Sequence, residues 1–192
     1  PVDGVVGENG GLWFWTDGNG MNRRFVQPET ERQINRKKLV ELGKHILQTV
    51  PGSGLASDQP YRELDLAIDF CEDVEPLDNA AIDAIVQAFE AAGASCKVSS
   101  IHVNGWFGSF DKLEGVSNFH IDRYGQPIDR SRWVFFGDSA NDEPMFEAFP
   151  YSIGVANVRA FLDRMVSHPK FITTAEGGHG FIEGMNHILA GR

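Results

Sequence analysis

Two aspartates on one short loop, Asp138 and Asp142, are the residues whose type and spacing most directly permit chemistry. They follow the apolar run 133–136 (WVFF), so the loop begins where a buried strand is expected to end. Gly137 lets the backbone turn tightly before the first aspartate. Carboxylates crowded at the carboxyl end of a parallel strand repel one another unless a cation neutralises them, and Mg²⁺ prefers such oxygen ligands. The loop therefore predicts a magnesium site with Asp138 as a direct ligand. Asp142 would bind the ion through water or hold the loop.

The same loop also fits a strand-to-helix turn that binds nothing. Ser139, Asn141 or Asp142 would then cap the helix, and Glu143 would favour its first turn. The loop alone leaves both interpretations open.

The neighbouring residues add a resemblance. Residues 137–146 read GDSANDEPMF, and this segment resembles the fourth motif of the haloacid dehalogenase (HAD) superfamily. More closely, it is similar to the sugar-phosphatase-like (Cof-type) branch, whose large α/β cap is inserted between the second and third motifs. The resemblance implies a doubly wound, Rossmann-like parallel-sheet core with this cap.

Three other stretches resemble the same family in order and place. Residues 5–11 (VVGENGG) are similar to the strand and E-N-G segment that follows the second motif, and Asp111-Lys112 falls where the third-motif lysine is expected. Residues 176–181 (EGGHGF) are similar to the glycine-rich segment before the last helix. The resemblance thus extends over essentially the whole chain.

The resemblance implies a Mg²⁺-dependent phosphatase of a small phosphorylated metabolite, with a sugar phosphate as the expected substrate. Asp138 and Asp142 then belong to the metal site, and Lys112 supplies positive charge for the phosphoryl oxygens. Asn141 would orient the phosphate or Lys112. Without the family context, Lys112 also fits a surface lysine paired with Asp111.

One part of the family pattern is missing from the sequence. The family's nucleophile lies in a D-x-D-x-T segment at the end of the first strand, and no D-x-D occurs in these 192 residues. The second-motif Ser or Thr, expected before residues 8–10, is missing too. We therefore expect the nucleophile and general acid to lie in a missing N-terminal segment, and the chain alone to be inactive. That fragment is also an expected partner. The alternative is a non-catalytic remnant of the fold that binds a ligand or another protein.

The elements that must position these residues follow from periodicity. Residues 28–50 and 77–92 predict amphipathic helices, and the alternation in 64–70 and 96–107 predicts two strands. Together they predict an α/β cap at 28–108. Short apolar runs alternate with helical segments after residue 132, as a doubly wound sheet requires. The predicted core is therefore 1–27 with 109–192.

The cap is expected to select the substrate by closing over the core. Arg62 is a candidate for a polar contact with the substrate. A surface ion pair of Arg62 with Asp58 or Glu63 fits equally well.

Composition excludes several classes of function. The net charge of −10 argues against nucleic-acid binding, because phosphate contacts need a basic face. No apolar run is long enough to predict a membrane span. Cys71 and Cys96 fit no metal-ligand spacing and are expected to be free thiols in a reducing cytoplasm.

Overall fold

A computed structural model describes residues 2–191 of the chain. The chain forms two compact units, of which the first ends at Gln126 and the second begins at Pro127. The predicted division into a core (1–27 and 109–192) and a cap (28–108) is not tested by this partition and stays a prediction. Among residues 2–191, no helix combines the length and the apolar character needed to cross a membrane.

The first unit opens with a small antiparallel sheet. Its strands are β1 (Val5–Gly7), β2 (Leu12–Asp17) and β3 (Gly20–Phe25), in the order β1-β2-β3. The β2–β3 connection is the tight turn expected from its glycines and asparagine, since Asp17 pairs with Gly20. Trp13 and Trp15 of β2 are buried against Phe119.

The predicted helices and strands of 28–108 form an α/β layer pair. Helices α1 (Glu29–Thr49) and α2 (Asn79–Ala91) pack on one face of a four-stranded antiparallel sheet. Its strands are β4 (Gly54–Leu55), β5 (Asp65–Asp69), β6 (Ser95–Val98) and β7 (His102–Trp106), in the order β4-β5-β7-β6. Alternate residues Leu66 and Ile68 face the helices, as the period of a strand requires.

The single strand predicted over 96–107 is instead a hairpin of β6 and β7. Ser99 closes the turn, because its backbone N–H donates to the His102 carbonyl at 2.8 Å and its hydroxyl accepts the His102 N–H at 3.0 Å. Polar and apolar residues continue to alternate through this turn, so periodicity alone does not show where β6 ends and β7 begins.

One helix of the first unit was not predicted. Helix α3 (Lys112–Tyr124) begins at Asp111, whose side chain accepts the N–H of Glu114 at 2.9 Å. It ends at Gly125, which has a left-handed φ of 72°.

The second unit contains a parallel sheet. Strands β8 (Val134–Gly137), β9 (Tyr151–Gly154) and β10 (Phe171–Ile172) are arranged in the order β10-β9-β8. Helix α4 (Glu143–Ala148) follows β8, and α5 (Gly177–Ala190) ends the described chain. One of the helical segments expected after residue 132 is a 3₁₀ helix over Ala156–Arg164. Trp133, the first residue of the apolar run 133–136 that was expected to be buried, is 39% exposed within the structure.

Candidate active site

The loop after β8 is built around a close approach that only glycine permits. A Cβ atom at Gly137 would lie 2.5 Å from Oδ2 of Asp142 and 2.7 Å from the ring of Phe146. Because glycine lacks that atom, the Asp142 carboxylate can lie against the backbone at the end of β8. Residues 140–142 form one 3₁₀ turn, and α4 begins at Glu143.

Asp142 is held by the loop itself. It is only 4% exposed, and its Oδ2 accepts the backbone N–H of Asp138 at 2.9 Å. The N–H of Asp142 in turn donates to the carbonyl of Ser139 at 3.1 Å. These bonds match the loop-holding role that the sequence left open for Asp142.

Asp138 is the half-buried carboxylate of the loop. Its Oδ1 accepts the Ser139 hydroxyl at 3.0 Å, whereas its Oδ2 accepts no hydrogen bond from residues 2–191. The Ser139 hydroxyl also lies 3.0 Å from Oδ1 of Asn141. The loop therefore brings Asp138, Asn141 and Asp142 together and leaves one carboxylate oxygen of Asp138 without a protein donor.

This donor set fits a hard cation such as Mg²⁺ only in part. Asp138 offers a carboxylate oxygen at the end of a parallel strand, which is chemistry that the ion favours. Within residues 2–191, however, no group of three or more His, Cys, Asp or Glu side chains is placed to hold a metal ion. Mg²⁺ commonly keeps several waters and needs few protein carboxylates. Asp138 would therefore share such an ion with water and with groups outside these residues.

Lys112 lies in the first unit, whereas the Asp138 loop lies in the second. It is the first residue of α3 and is half-buried, directly after the capping Asp111. Gly10 packs against this helix start, since a Cβ atom there would lie 1.9 Å from the carbonyl oxygen of Asp111. The contact is close from the other side as well, where a Cβ atom at Gly115 would lie 2.4 Å from Cα of Gly10. The E-N-G segment thus fixes the backbone that carries Lys112.

Glu8 and Asn9 form a polar joint that sequence reasoning did not assign. Both have left-handed φ values, 47° and 53°, which are uncommon for residues other than glycine. The Glu8 carboxylate accepts the backbone N–H groups of three consecutive residues, 63–65, at 2.5–3.0 Å. Asn9 Nδ2 donates to Oδ2 of Asp65 at 2.9 Å. The joint ties the segment before β2 to the start of β5.

Arg62 lies beside this joint and is already engaged. Its Nε and one terminal nitrogen donate to the two oxygens of Asp58 at 2.8 and 2.9 Å. Its other terminal nitrogen donates to Asp65 at 3.0 Å and to Asn104 at 3.3 Å. The ion pair with Asp58 that competed with substrate contact is therefore present, and the one with Glu63 is not.

Burial dominates the electrostatics of Asp65. Its side chain has no exposed surface. Loss of solvation raises the pKa of Asp65 to about 6, against the lowering effect of Arg62 and with a further increase from Glu8. Burial opposes the charge of Arg62 too, but the carboxylates of Asp58 and Asp65 outweigh it and raise the Arg62 pKa above its usual range.

Comparison with known proteins finds a family model that matches part of the chain. A model of the haloacid dehalogenase-like hydrolases matches residues 109–181, which include Lys112 and the whole Asp138 loop. No curated protein sequence matches the chain.

Solved structures share the fold along nearly the whole chain. Protein 0175 of Thermoplasma acidophilum superposes with a TM-score of 0.63 at 22% identity, covering 96% of this chain and 71% of that one. The sucrose-phosphatase of Synechocystis, solved with sucrose and phosphate, gives 0.63 at 13% identity over 97% of this chain and 74% of its own. A HAD subclass IIB sugar phosphatase gives 0.61 at 12% identity, covering 97% and 76%. At these identities the likeness establishes the fold, a Rossmann-like α/β core with an α/β cap. Residues 109–181 are thus similar to the haloacid dehalogenase-like hydrolases, and nearly the whole chain shares the fold of solved structures that include a HAD sugar phosphatase.

Proposed function

We propose that this protein is a Mg²⁺-dependent phosphatase of a small phosphorylated metabolite, with sugar phosphates as the substrate class. The observation that carries the proposal is the Asp138 carboxylate at the end of β8, whose Oδ2 has no hydrogen-bond donor among residues 2–191. The family is one of hydrolases, and two of the similar structures are a sucrose-phosphatase and a sugar phosphatase.

The proposed roles follow from the charge of a phosphate monoester. Its oxygens repel an incoming nucleophile, so catalysis depends on positioning and on neutralising charge. Asp138 would hold Mg²⁺, which supplies positive charge at the phosphoryl group, and Asp142 would fix the direction of Asp138. Lys112 would contribute a second positive charge, and Asn141 would orient the phosphate. Arg62 would contact the substrate only through the terminal N–H that Asp58, Asp65 and Asn104 leave unused.

The nucleophile is assigned to a residue outside this sequence. No D-x-D occurs in the 192 residues, and the proposal therefore requires an aspartate from the family's D-x-D-x-T segment. That aspartate would attack phosphorus to form an aspartyl-phosphate, and the second aspartate would act as general acid and base. A segment carrying them would then be a partner of this chain, and the 192 residues alone would be inactive.

The cysteines and the net charge bear on where such an enzyme would act and on how it would attract its substrate. Cys71 and Cys96 are free thiols, which favours a reducing compartment such as the cytoplasm. The net charge of −10 repels phosphorylated substrates at long range, so local cations and the metal have to overcome that background.

Metal binding by the loop can be measured on the chain itself. Mn²⁺ is a spectroscopic substitute for Mg²⁺, and the free ion is quantified by electron paramagnetic resonance during a titration. Asp138→Asn should weaken Mn²⁺ binding at least about tenfold, because it replaces a charged ligand by an amide. Glu147→Gln makes the same change in charge at an exposed position of α4 and should leave the affinity unchanged.

The Glu147→Gln control distinguishes a specific Mn²⁺ site from nonspecific attraction of Mn²⁺ to an acidic protein. Equal weakening by the two variants, or no saturable Mn²⁺ binding at all, would remove the metal site from the proposal. Competition by excess Mg²⁺ for the same Mn²⁺ is also expected.

A further inference from the structure

A pocket within the first unit opens between α1 and the segment from β4 to β5. Its volume is about 240 Å³. Buried Leu39 and Leu66 line it together with Val40, Leu47 and Leu55, all three of which keep a third or more of their surface exposed. These aliphatic side chains share the lining with Gln59 and with charged residues, of which Glu63 is paired with Arg23 and Arg32.

Gly43 lines the pocket where α1 packs against Leu66. It lies in the interior of α1, where glycine costs about 1 kcal/mol relative to alanine. A Cβ atom there would lie 3.3 Å from Cδ1 of Leu66 and 3.8 Å from Cδ2 of Leu55. The glycine therefore lets α1 pack closely against Leu66 at the edge of the pocket.

The charges at the mouth of the pocket are unequal. Lys44 pairs with Glu41 at 2.7 Å, and Arg62 is engaged by Asp58 and Asp65. Arg36 is exposed and makes no ion pair with any of residues 2–191, although the protein as a whole is strongly acidic. Arg36 therefore supplies an uncompensated positive charge beside an aliphatic pocket.

A shallow depression extends the pocket along α1. It is lined by Gln33, Arg36, Lys37, Val40 and Glu41, and it shares Arg36 and Val40 with the pocket. A ligand whose charged end lies at Arg36 thus has its apolar body in the pocket and its head at the open end.

We infer that this pocket binds a small organic anion with an aliphatic body, whose carboxylate or phosphate group pairs with Arg36. The aliphatic side chains provide the burial energy, and the unpaired Arg36 provides selectivity for an anionic head. The pocket shares Arg62 with the candidate substrate contacts, but pairing of the anion with Arg36 does not require that role of Arg62. Its existence does not depend on phosphatase activity.

Octanoate is a suitable probe, since it combines a carboxylate with an aliphatic body. Titration into the ¹⁵N-labelled chain should give saturable chemical-shift changes at the Gly43 and Leu55 amides. Arg36→Gln should raise the dissociation constant about fivefold, the equivalent of one partly exposed ion pair. Lys38→Gln removes the same charge from a nearby exposed position of α1 that lines neither the pocket nor the depression, and should change the constant less than about twofold.

Two further experiments test whether the aliphatic body of the ligand binds in the pocket. Val40→Trp places a large side chain over the pocket from an exposed position and should abolish the saturable shifts. Octanol should bind more weakly than octanoate, and acetate should give no saturable shifts. Equal effects of Arg36→Gln and Lys38→Gln, unchanged binding to Val40→Trp, or shifts scattered over the surface would each overturn the inference.

Discussion

Asp65 illustrates how single residues in this protein combine structural and electrostatic roles. Its carboxylate is buried, yet it receives hydrogen bonds from Asn9 and Arg62. The raised pKa means that desolvation exceeds the benefit of these two partners. Asp65 therefore fixes the position of Arg62 at a cost in stability near neutral pH.

This cost predicts a pH dependence of stability. The folded chain holds the Asp65 proton up to its raised pKa of about 6, whereas the unfolded chain releases it near the ordinary aspartate pKa of 3.8. Because the folded state binds the proton more tightly, the contribution of Asp65 to stability decreases as the pH rises through this interval. Between pH 4.5 and 7.5, the stability of wild type relative to Asp65→Asn should fall by about 2 kcal/mol.

Urea unfolding of both proteins at the two pH values measures this difference. Asp73→Asn, at an exposed position in the same unit, should show no such dependence relative to wild type. A wild-type and Asp65→Asn difference that is constant with pH would mean that Asp65 is ionised in both states.

At the residue scale, the sequence placed Asp138, Asn141 and Asp142 on one loop because all three lie within five positions of a strand end. It did not determine which way Asp142 points, since that depends on the missing Cβ atom of Gly137. Nor did it show the bond from Asn9 to Asp65, which joins residues 56 positions apart. Such a contact leaves no local pattern in the sequence.

At the scale of elements, the packing of the E-N-G segment on α3 is the tightest backbone contact that involves a candidate site residue. Gly10 has a φ of 97°, and its Cα faces the first turn of the helix that Lys112 begins. Any side chain at this position would force the helix start away.

Gly10→Ala is therefore expected to destabilise the chain by at least about 2 kcal/mol, through both the left-handed backbone and the overlap with Asp111. Gly18→Ala makes the same change in the β2–β3 turn, where a Cβ atom would meet nothing within 4 Å, and should cost less than about 0.5 kcal/mol. Urea unfolding midpoints compare the two. Similar midpoints for both variants would show that the Gly10 contact can relax at little cost.

Periodicity predicted the elements whose faces are most clearly divided. Helices α1 and α2 and strand β5 have one apolar face each, and they appear close to the expected boundaries. Helix α3 was missed because Gly115 and several polar residues interrupt its apolar face, although Asp111 and Gly125 mark its ends. The 3₁₀ form of 156–164 was also missed, since apolar spacing does not distinguish i+3 from i+4 hydrogen bonding.

At the scale of the whole molecule, the predicted fold class is confirmed by the family model and the shared fold. Because the net charge is −10, each local cation that is not neutralised by a neighbour stands out as a site for an anionic group. Arg62 is neutralised by its neighbours, whereas Arg36 makes no ion pair within residues 2–191. We therefore expect anionic ligands to bind where a cationic side chain or a bound metal locally offsets the acidic net charge of the protein.

The most direct test of the phosphatase proposal is phosphate release from a panel of sugar phosphates by the native protein, isolated from its source and checked by intact mass. We predict release that requires Mg²⁺ and stops on chelation, from a preparation containing a D-x-D-x-T segment. The 192 residues expressed alone should release none. Absence of release from the native protein, or release that is indifferent to chelation, would contradict a Mg²⁺-dependent phosphatase.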